Sequence, residues 1–470
     1  MAKTFLVNAG SLSASRIFIA LSQVLVLPVV ARFLDPVEFG DMAQAMTVII
    51  FAQLLSDAGM GRSLIRQTHY DPAEWNSVFW LLTCVGLGLM IVTMAIAPLW
   101  ANLFDRPPLL WLLSALAVLP FLNSLSAVAV AQMEKDGQFP RLAVIRAVAG
   151  LAGLVTVIVL AVAGAGVWSL VAQQIVLTAV QTIGAIAYSH FRPGPPRNFT
   201  PLGAHIRFAG DNVGVSLIFS AQRQVPVLFI GAILGAGSLG LFSMAQRFLN
   251  LPRTAVGGPV AQAVYVRMAK AQHDGQKVAD IYTASCLLLS VAIFPPIAIL
   301  AGSASSLFPL LLSETWAPAA AVFTLAAVGV ALEVVTSCVG VMLQALDRTR
   351  LRLWMITERT ILRTVVVALA VPFGLEAVAL VISGFSICYL PRYLAFAQRV
   401  SPVSQLAVLR AMGVSAGISA IAWGALATCS LTFTAWQMLG LACAALPLTW
   451  AAAILPQIAP IRRATSTLNG

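Results

Sequence analysis

Hydrophobic and polar positions alternate along this chain on the scale of a bilayer. Apolar runs of about 20 residues, the length that crosses a ~30 Å hydrocarbon core as helix, follow one another from end to end with only short polar breaks. The pattern predicts fourteen spans, at 11–34, 40–62, 76–101, 109–131, 140–163, 166–189, 206–231, 238–262, 281–303, 317–345, 353–371, 374–398, 406–428 and 433–456. They leave no room for a soluble domain. The first span is longer than a signal-peptide core, carries Arg16 and Gln23, and runs into further membrane helix, so it is expected to stay uncleaved.

Composition agrees. The 470 residues are 60% hydrophobic and 10% charged, with a mean hydropathy of +0.92, which places the whole chain in a membrane. Six cysteines lie in apolar spans without paired spacing, which indicates neither a disulfide framework nor a metal site. Lysine and arginine gather in alternate loops, at Arg62, Lys135, Arg197, Arg267, Arg348 and Arg462 for example, whereas the intervening loops hold little beyond Arg32 and Arg106. By the positive-inside rule both termini are expected to be cytoplasmic. The net charge of +11 follows from topology and anionic lipid, and no nucleic-acid partner is called for.

The chain repeats itself. A shift of 200 residues lays LPVVARFLDPVEFGDMAQA (27–45) over VLFIGAILGAGSLGLFSMA (227–245), and a shift of 212 lays AQMEKDGQFPR (131–141) over LQALDRTRLRL (343–353), pairing Gln132 with Gln344. Six spans separate the paired elements, so both halves enter the membrane in the same direction. The resulting expectation is an all-α protein of two six-helix lobes: an N-lobe at 1–190, a cytoplasmic linker at 191–205, a C-lobe at 206–400, and two appended spans with a cytoplasmic tail at 401–470. Substrate is expected near the lobe interface. The linker, HFRPGPPRNFTPLGAH, reads as an irregular strap because of its prolines and glycines.

Span 8 carries the chemistry. In LFSMAQRFLNLPRTAVGG (241–258), an ideal helical wheel puts Ser243, Gln246, Arg247, Asn250, Arg253, Thr254, Gly257 and Gly258 within an arc of about 140°. Met244, Phe248, Leu249, Leu251, Ala255 and Val256 fill the rest. Each arginine facing lipid would cost ~2.5 kcal/mol or more, so the stripe must face a wet cavity or other protein. Pro252 and the Gly257-Gly258-Pro259 cluster are expected to bend the helix at that level. Span 1 aligns Ser13, Arg16, Ala20 and Gln23 with Pro28 beyond; span 7 aligns Asn212, Ser216, Ser220 and Arg223 with Pro226 beyond. The candidate cavity residues are Arg16, Gln23, Arg223, Gln246, Arg247, Asn250 and Arg253.

The bland reading is that these arginines pair with acids to hold helices together. Of the acids available, Asp57 and Asp211 lie near the cytoplasmic ends, and Glu333 is the one deep partner. Asp57 and Glu333 are candidates for ion coupling or charge pairing, with Na+ or H+ as the coupling ion and no other cofactor. Glu358 is expected to serve its neighbours Arg359 and Arg363, while Arg146, Arg359 and Arg363 are expected to snorkel to the inside surface. A positive excess at low dielectric attracts anions, and the guanidinium fork suits phosphate oxygens. The expected cargo is therefore anionic, such as a phosphate or diphosphate ester.

Other classes fit poorly. No G-x-x-x-x-G-K-[ST] loop is present, which argues against a nucleotide-driven pump. An enzyme acting on polysaccharide would need acids at the outer surface or sizeable outer loops, and neither is found. A multidrug-type antiporter of cationic drugs would favour an acidic cavity.

Three motifs in order, LDPVEFGDMA (34–43), GSLGLFSMAQRFLNLP (237–252) and ETWAPAA (314–320), together with the two-lobe pattern, resemble bacterial polysaccharide-export flippases. These are the Wzx-type members of the multidrug, oligosaccharidyl-lipid and polysaccharide exporter superfamily. The resemblance covers about the first 400 residues. It implies translocation of an undecaprenyl-diphosphate-linked oligosaccharide to the outer leaflet, alongside membrane lipids and with a polysaccharide polymerase and co-polymerase as partners. It also implies that arginines on spans 1 and 8 hold the diphosphate: Arg16, and either Arg247 or Arg253, match by span and face. The multidrug antiporters of the same superfamily are the alternative.

Overall fold

A computed structural model of the chain describes residues 26–57, 59–66, 71–195 and 202–462, which are helical with short turns and contain no strand. Among the described residues, eleven helices are long and apolar enough to cross a membrane. The difference from fourteen has three local reasons. Span 1 lies mostly outside the described residues. Spans 7 and 8 run together as Gly203–Pro252, interrupted only at Gly235, whose φ of 81° and ψ of 175° turn the chain from one helix into the next. Span 11, Thr349–Ala370, carries Arg350, Arg352, Glu358, Arg359 and Arg363 and is too polar to qualify by composition.

The remaining spans follow their sequence signals. Proline sits in the first turn of spans 3 (Pro72–Leu103) and 5 (Phe139–Val162), where its missing N–H costs nothing. Asp71 and Asp274 accept from the backbone N–H of Ala73 and Lys277, capping spans 3 and 9. Thr434 and Gln437 form a capping box at the start of span 14 (Ala435–Ile454). One predicted boundary is corrected: span 2 is Pro36–Asp57, not 40–62, because Gly59 at φ 77° breaks the helix and a separate short helix, Met60–Arg66, follows.

The chain divides into two compact units, Met1–Gly240 and Leu241–Gly470. In the first, Leu64, Trp75, Val78, Leu82 and Val128 build a core between the short helix, span 3 and span 4 (Pro108–Lys135). The described part of the linker is pinned to span 3: Trp80 Nε1 donates to the Gly194 carbonyl at 2.9 Å, and Asn76 Nδ2 to that of Pro195 at 3.0 Å. In the second unit, Ile299, Leu307, Leu426, Met438 and Ala442 join span 9 (Gly275–Leu311) to spans 13 (Gln405–Cys429) and 14. Trp450 Nε1 donates to the Val291 carbonyl at 3.1 Å, so the appended spans are packed into this unit.

The internal repeat is visible in backbone geometry. Span 2 starts at Pro36 and the continuation of span 8 at residue 236, after Gly235, in step with the shift of 200. The second match needs correcting. Spans 4 and 10 both end in the same turn, with Gln138 N–H donating to the Met133 carbonyl and Arg348 N–H to that of Leu343, each at 2.8 Å. The left-handed residues are Gly137 and Asp347. The true register is therefore 210, and the Gln132–Gln344 identity is displaced by two. The turn's backbone hydrogen bonds set the register, whereas a side-chain identity beside it does not.

Candidate functional site

The motif at 34–43 is a structural clasp. Asp35 and Glu38 cap the start of span 2 reciprocally, Glu38 N–H donating to Asp35 Oδ1 at 2.8 Å and Asp35 N–H to Glu38 Oε2 at 3.0 Å. Glu38 Oε1 also accepts from the backbone of Val167 at 3.0 Å, in the turn before span 6. Asp41, buried, takes a bidentate pair from Arg106 in the turn between spans 3 and 4, at 3.0 and 2.7 Å. Hydrogen bonding to Asp41 raises the Arg106 pKa above its ordinary value. Two turns at one end of the first unit are thus tied to one helix start.

Span 8 is amphipathic against the usual order. Met244, Ala245 and Leu249 are buried, whereas Arg247, Asn250, Arg253 and Thr254 are exposed and Gln246 is half-buried. After Pro252 the helix widens into a π-turn, Arg253–Gly257, before Gly258–Lys270 continues it. Proline lacks the N–H for the regular ladder, and Gly257 and Gly258 tolerate the wider turn. Gly257 is needed for a second reason: a Cβ there would lie 3.2 Å from Val334 of span 10 (Glu314–Ala345). The π-turn is thereby set against the segment of span 10 that holds Glu333.

Glu333 anchors a charged layer in the middle of the second unit. Its Oε1 lies 2.7 Å from Arg359 Nη2 and 2.8 Å from Arg363 Nη1, and accepts from Ser386 Oγ at 3.1 Å. The three side chains are all largely buried, and Arg253 from the π-turn adds its field at Glu333. Span 11 can present both arginines inward because they are four residues apart. Met355, Val367 and Ala370 share their buried face, while Trp354, Ile361, Val365 and Leu369 form an exposed apolar stripe. Arg359 also stacks over Tyr393, 5.5 Å from its ring centroid.

Two expectations are overturned here. Glu358 does not serve Arg359 and Arg363; it holds Arg392 of span 12 (Leu375–Gln398) bidentately, at 2.8 and 2.9 Å, and accepts from the Tyr389 hydroxyl. Arg359 and Arg363 do not snorkel, since their guanidiniums meet on Glu333. Neighbours in a helix sequence point about 100° apart, so Glu358 cannot face Arg359.

The other predicted residues are dispersed. Arg16 and Gln23 lie outside the described residues. Arg223 is exposed on span 7, one position before Gln224, which receives the Thr47 hydroxyl of span 2 at 3.2 Å. The helix passes Pro226 without leaving helical dihedrals and breaks at Gly235. Asp57 accepts from the N–H of Gly61 at 3.2 Å and lines a polar pocket of about 370 Å³ in the first unit, with Gln53, Asn123, Glu134, Arg146 and Gln181. Arg146 sits 3.9 Å from Glu134 there.

A family model described as polysaccharide biosynthesis protein matches residues 29–321, more than half of the chain. The chain belongs to this family. The match takes in the clasp at 34–43, the arginine stripe of span 8 and the turn at 314–320. Relatives include the succinoglycan biosynthesis transport protein ExoT of Rhizobium meliloti (strain 1021), 28% identical over 269 residues that make up 57% of this chain and 54% of that one. The lipopolysaccharide biosynthesis protein WzxC of Escherichia coli (strain K12) is 25% identical over 332 residues, 68% and 66% of the two chains. The chain thus spans between half and two thirds of the length of these relatives. Its fold is similar to that of the lipid II flippase MurJ in an inward closed conformation, with 13% identity, a TM-score of 0.78, and coverage of 96% of this chain and 99% of the other. An inward-facing multidrug resistance MATE family transporter gives 16% identity and a TM-score of 0.60 over 83% of this chain and 94% of the other. The fold of this polysaccharide biosynthesis protein is thus shared with MurJ and with MATE transporters, in a multi-pass membrane chain.

Proposed function

We propose that the protein is a flippase that carries an undecaprenyl-diphosphate-linked oligosaccharide from the inner to the outer leaflet of the bacterial cytoplasmic membrane, for surface polysaccharide export. The observation that carries this reading is the exposed polar face of span 8, with Arg247, Asn250, Arg253 and Thr254 outward and its apolar face buried, in a chain of this family. A guanidinium exposed to lipid is costly, whereas a water-filled path along this face lowers that cost and attracts anions, and a diphosphate ester supplies two acidic phosphates that suit the bidentate fork. The polyprenyl tail stays in lipid while the head group and sugars pass along this face, in an alternating-access cycle with both chain termini on the cytoplasmic side. The π-turn and Gly235 provide the hinges. Membrane lipid surrounds the chain, and a polymerase and co-polymerase take up the product.

Asp57 is the better placed of the two carboxylates for a coupling Na+ or H+. It opens on a polar pocket, whereas Glu333 is engaged by two arginines. The multidrug antiporter is the second reading, supported by the likeness to MATE transporters, but a cationic drug would be repelled by Arg247 and Arg253.

The test is deletion and complementation in the native host. Lipid-linked oligosaccharide should accumulate on the inner leaflet without the protein, and return to the outer leaflet with the wild type but not with the Arg247→Ala, Arg253→Ala double variant. Normal export in the deletion strain, or full rescue by the double variant, would overturn the reading.

A further inference from the structure

The charged layer around Glu333 carries more positive charge than it neutralises. One carboxylate is shared by Arg359 and Arg363, and the three donors that reach it converge on the single oxygen Oε1. Arg359 Nη2 is spent on that oxygen, while Arg363 Nε is buried without a hydrogen-bond partner. A buried guanidinium that shares half a counter-charge and keeps an unfilled donor is an incomplete site, since an unmet donor bears its desolvation cost.

The position of the layer adds to this. Glu333 lies about 18 Å from the end of span 10 at Ala345, and Arg359 about 15 Å from the start of span 11 at Thr349, taking 1.5 Å per residue. The site is thus near mid-membrane, beside the π-turn whose Arg253 is exposed and whose field reaches Glu333. An oxyanion moving along the exposed face of span 8 meets Arg253 and then this pair.

We propose that Arg359 and Arg363 form a second oxyanion site, and that Glu333 is its built-in competitor: it half-neutralises the pair in the empty protein, and an incoming oxyanion displaces it from one or both guanidiniums. This deepens the flippase reading and rests on it for the origin of the anion, either the diphosphate or a carboxylate on the sugar. The incoming anion supplies the counter-charge that the pair lacks, so the guanidiniums are never left buried and bare, and the displaced carboxylate keeps the Ser386 hydroxyl as its donor. Glu333 is a positioning residue, not a ligand of the cargo. Replacing it should tighten binding and slow release.

The experiment is calorimetric titration of the purified full chain in nanodiscs with inorganic pyrophosphate and, separately, with glucuronate. Glu333→Gln should bind one of these probes about tenfold more tightly than wild type. Glu333→Asp should stay close to wild type, and Arg363→Gln added to Glu333→Gln should remove the gain. A gain confined to pyrophosphate assigns the site to the diphosphate; a gain confined to glucuronate assigns it to an acidic sugar. A folded Glu333→Gln protein with unchanged or weaker affinity for both probes overturns the proposal. Should that variant fail to fold, infrared difference spectra of the wild type decide. Saturating probe should shift a carboxylate band that is missing from the Glu333→Gln, Arg363→Gln double variant, and no shift overturns the proposal. These readouts need no export, so a deletion strain that still exports would sink the flippase reading while leaving the binding result to stand alone.

Discussion

Gly40 and Gly240 pack into one another's helices at a crossing that the 200-residue shift maps onto itself. A Cβ on Gly40 would overlap the carbonyl of Ala236, and a Cβ on Gly240 would overlap that of Pro36; the shift carries Pro36 to Ala236 and Gly40 to Gly240. Both obstructions are backbone and cannot swing aside. Gly40→Ala and Gly240→Ala should each destabilise the protein by ~1–3 kcal/mol through forced separation of the helices. Lower melting temperatures in detergent would show it, and an unchanged melt for either would mean that the crossing yields without strain.

Arg247 and Arg253 should matter to transport and not to folding. Both side chains are exposed, so alanine at either position should change stability by less than about 1 kcal/mol, read as a nearly unchanged melting temperature. Export should fall about tenfold or more for each, the worth of a charge-assisted hydrogen bond to phosphate. Arg247→Lys should recover only part of the loss, since an ammonium lacks the fork. Complementation of a deletion strain, with surface polymer quantified, checks all three variants.

The clasp makes the opposite prediction. Asp41 is buried, and its two oxygens are both taken by Arg106. Arg106→Ala should cost ~1–3 kcal/mol by leaving that carboxylate without its donors, with a small loss of export at permissive temperature. Asp41→Asn combined with Arg106→Gln should be milder than Arg106→Ala alone. A double-mutant cycle on melting temperature measures the coupling, and zero coupling would count the pair as an ornament of the surface.

Asp57 separates coupling from cargo binding. Asp57→Asn keeps an acceptor for the Gly61 N–H and removes the charge from the pocket. Export by this variant in reconstituted vesicles should lose its response to an imposed Na+ or H+ gradient while the affinity for pyrophosphate is kept. A gradient response equal to that of the wild type would move the coupling site elsewhere.

Much of this was legible in one dimension. Hydropathy marked the spans because burial in lipid is a local demand of each 20-residue segment, and the arginine stripe of span 8 emerged from helical period alone. The break at Pro252 and Gly257 was foreseeable from backbone chemistry, since one residue lacks a donor and the other lacks a side chain. The Gln132–Gln344 match misled because a shared side-chain identity has no hold on register, whereas the turn hydrogen bonds 210 residues apart do.

What the sequence by itself determined is therefore the membrane class, the repeat and the polar face of span 8, all properties of consecutive residues. Only the tertiary structure decided the ion pairs. Glu333 reaches Arg359 and Arg363 from another helix, and Glu358 turns to Arg392, because adjacent positions on a helix diverge by about 100° and partners are chosen by the packing of spans 10, 11 and 12.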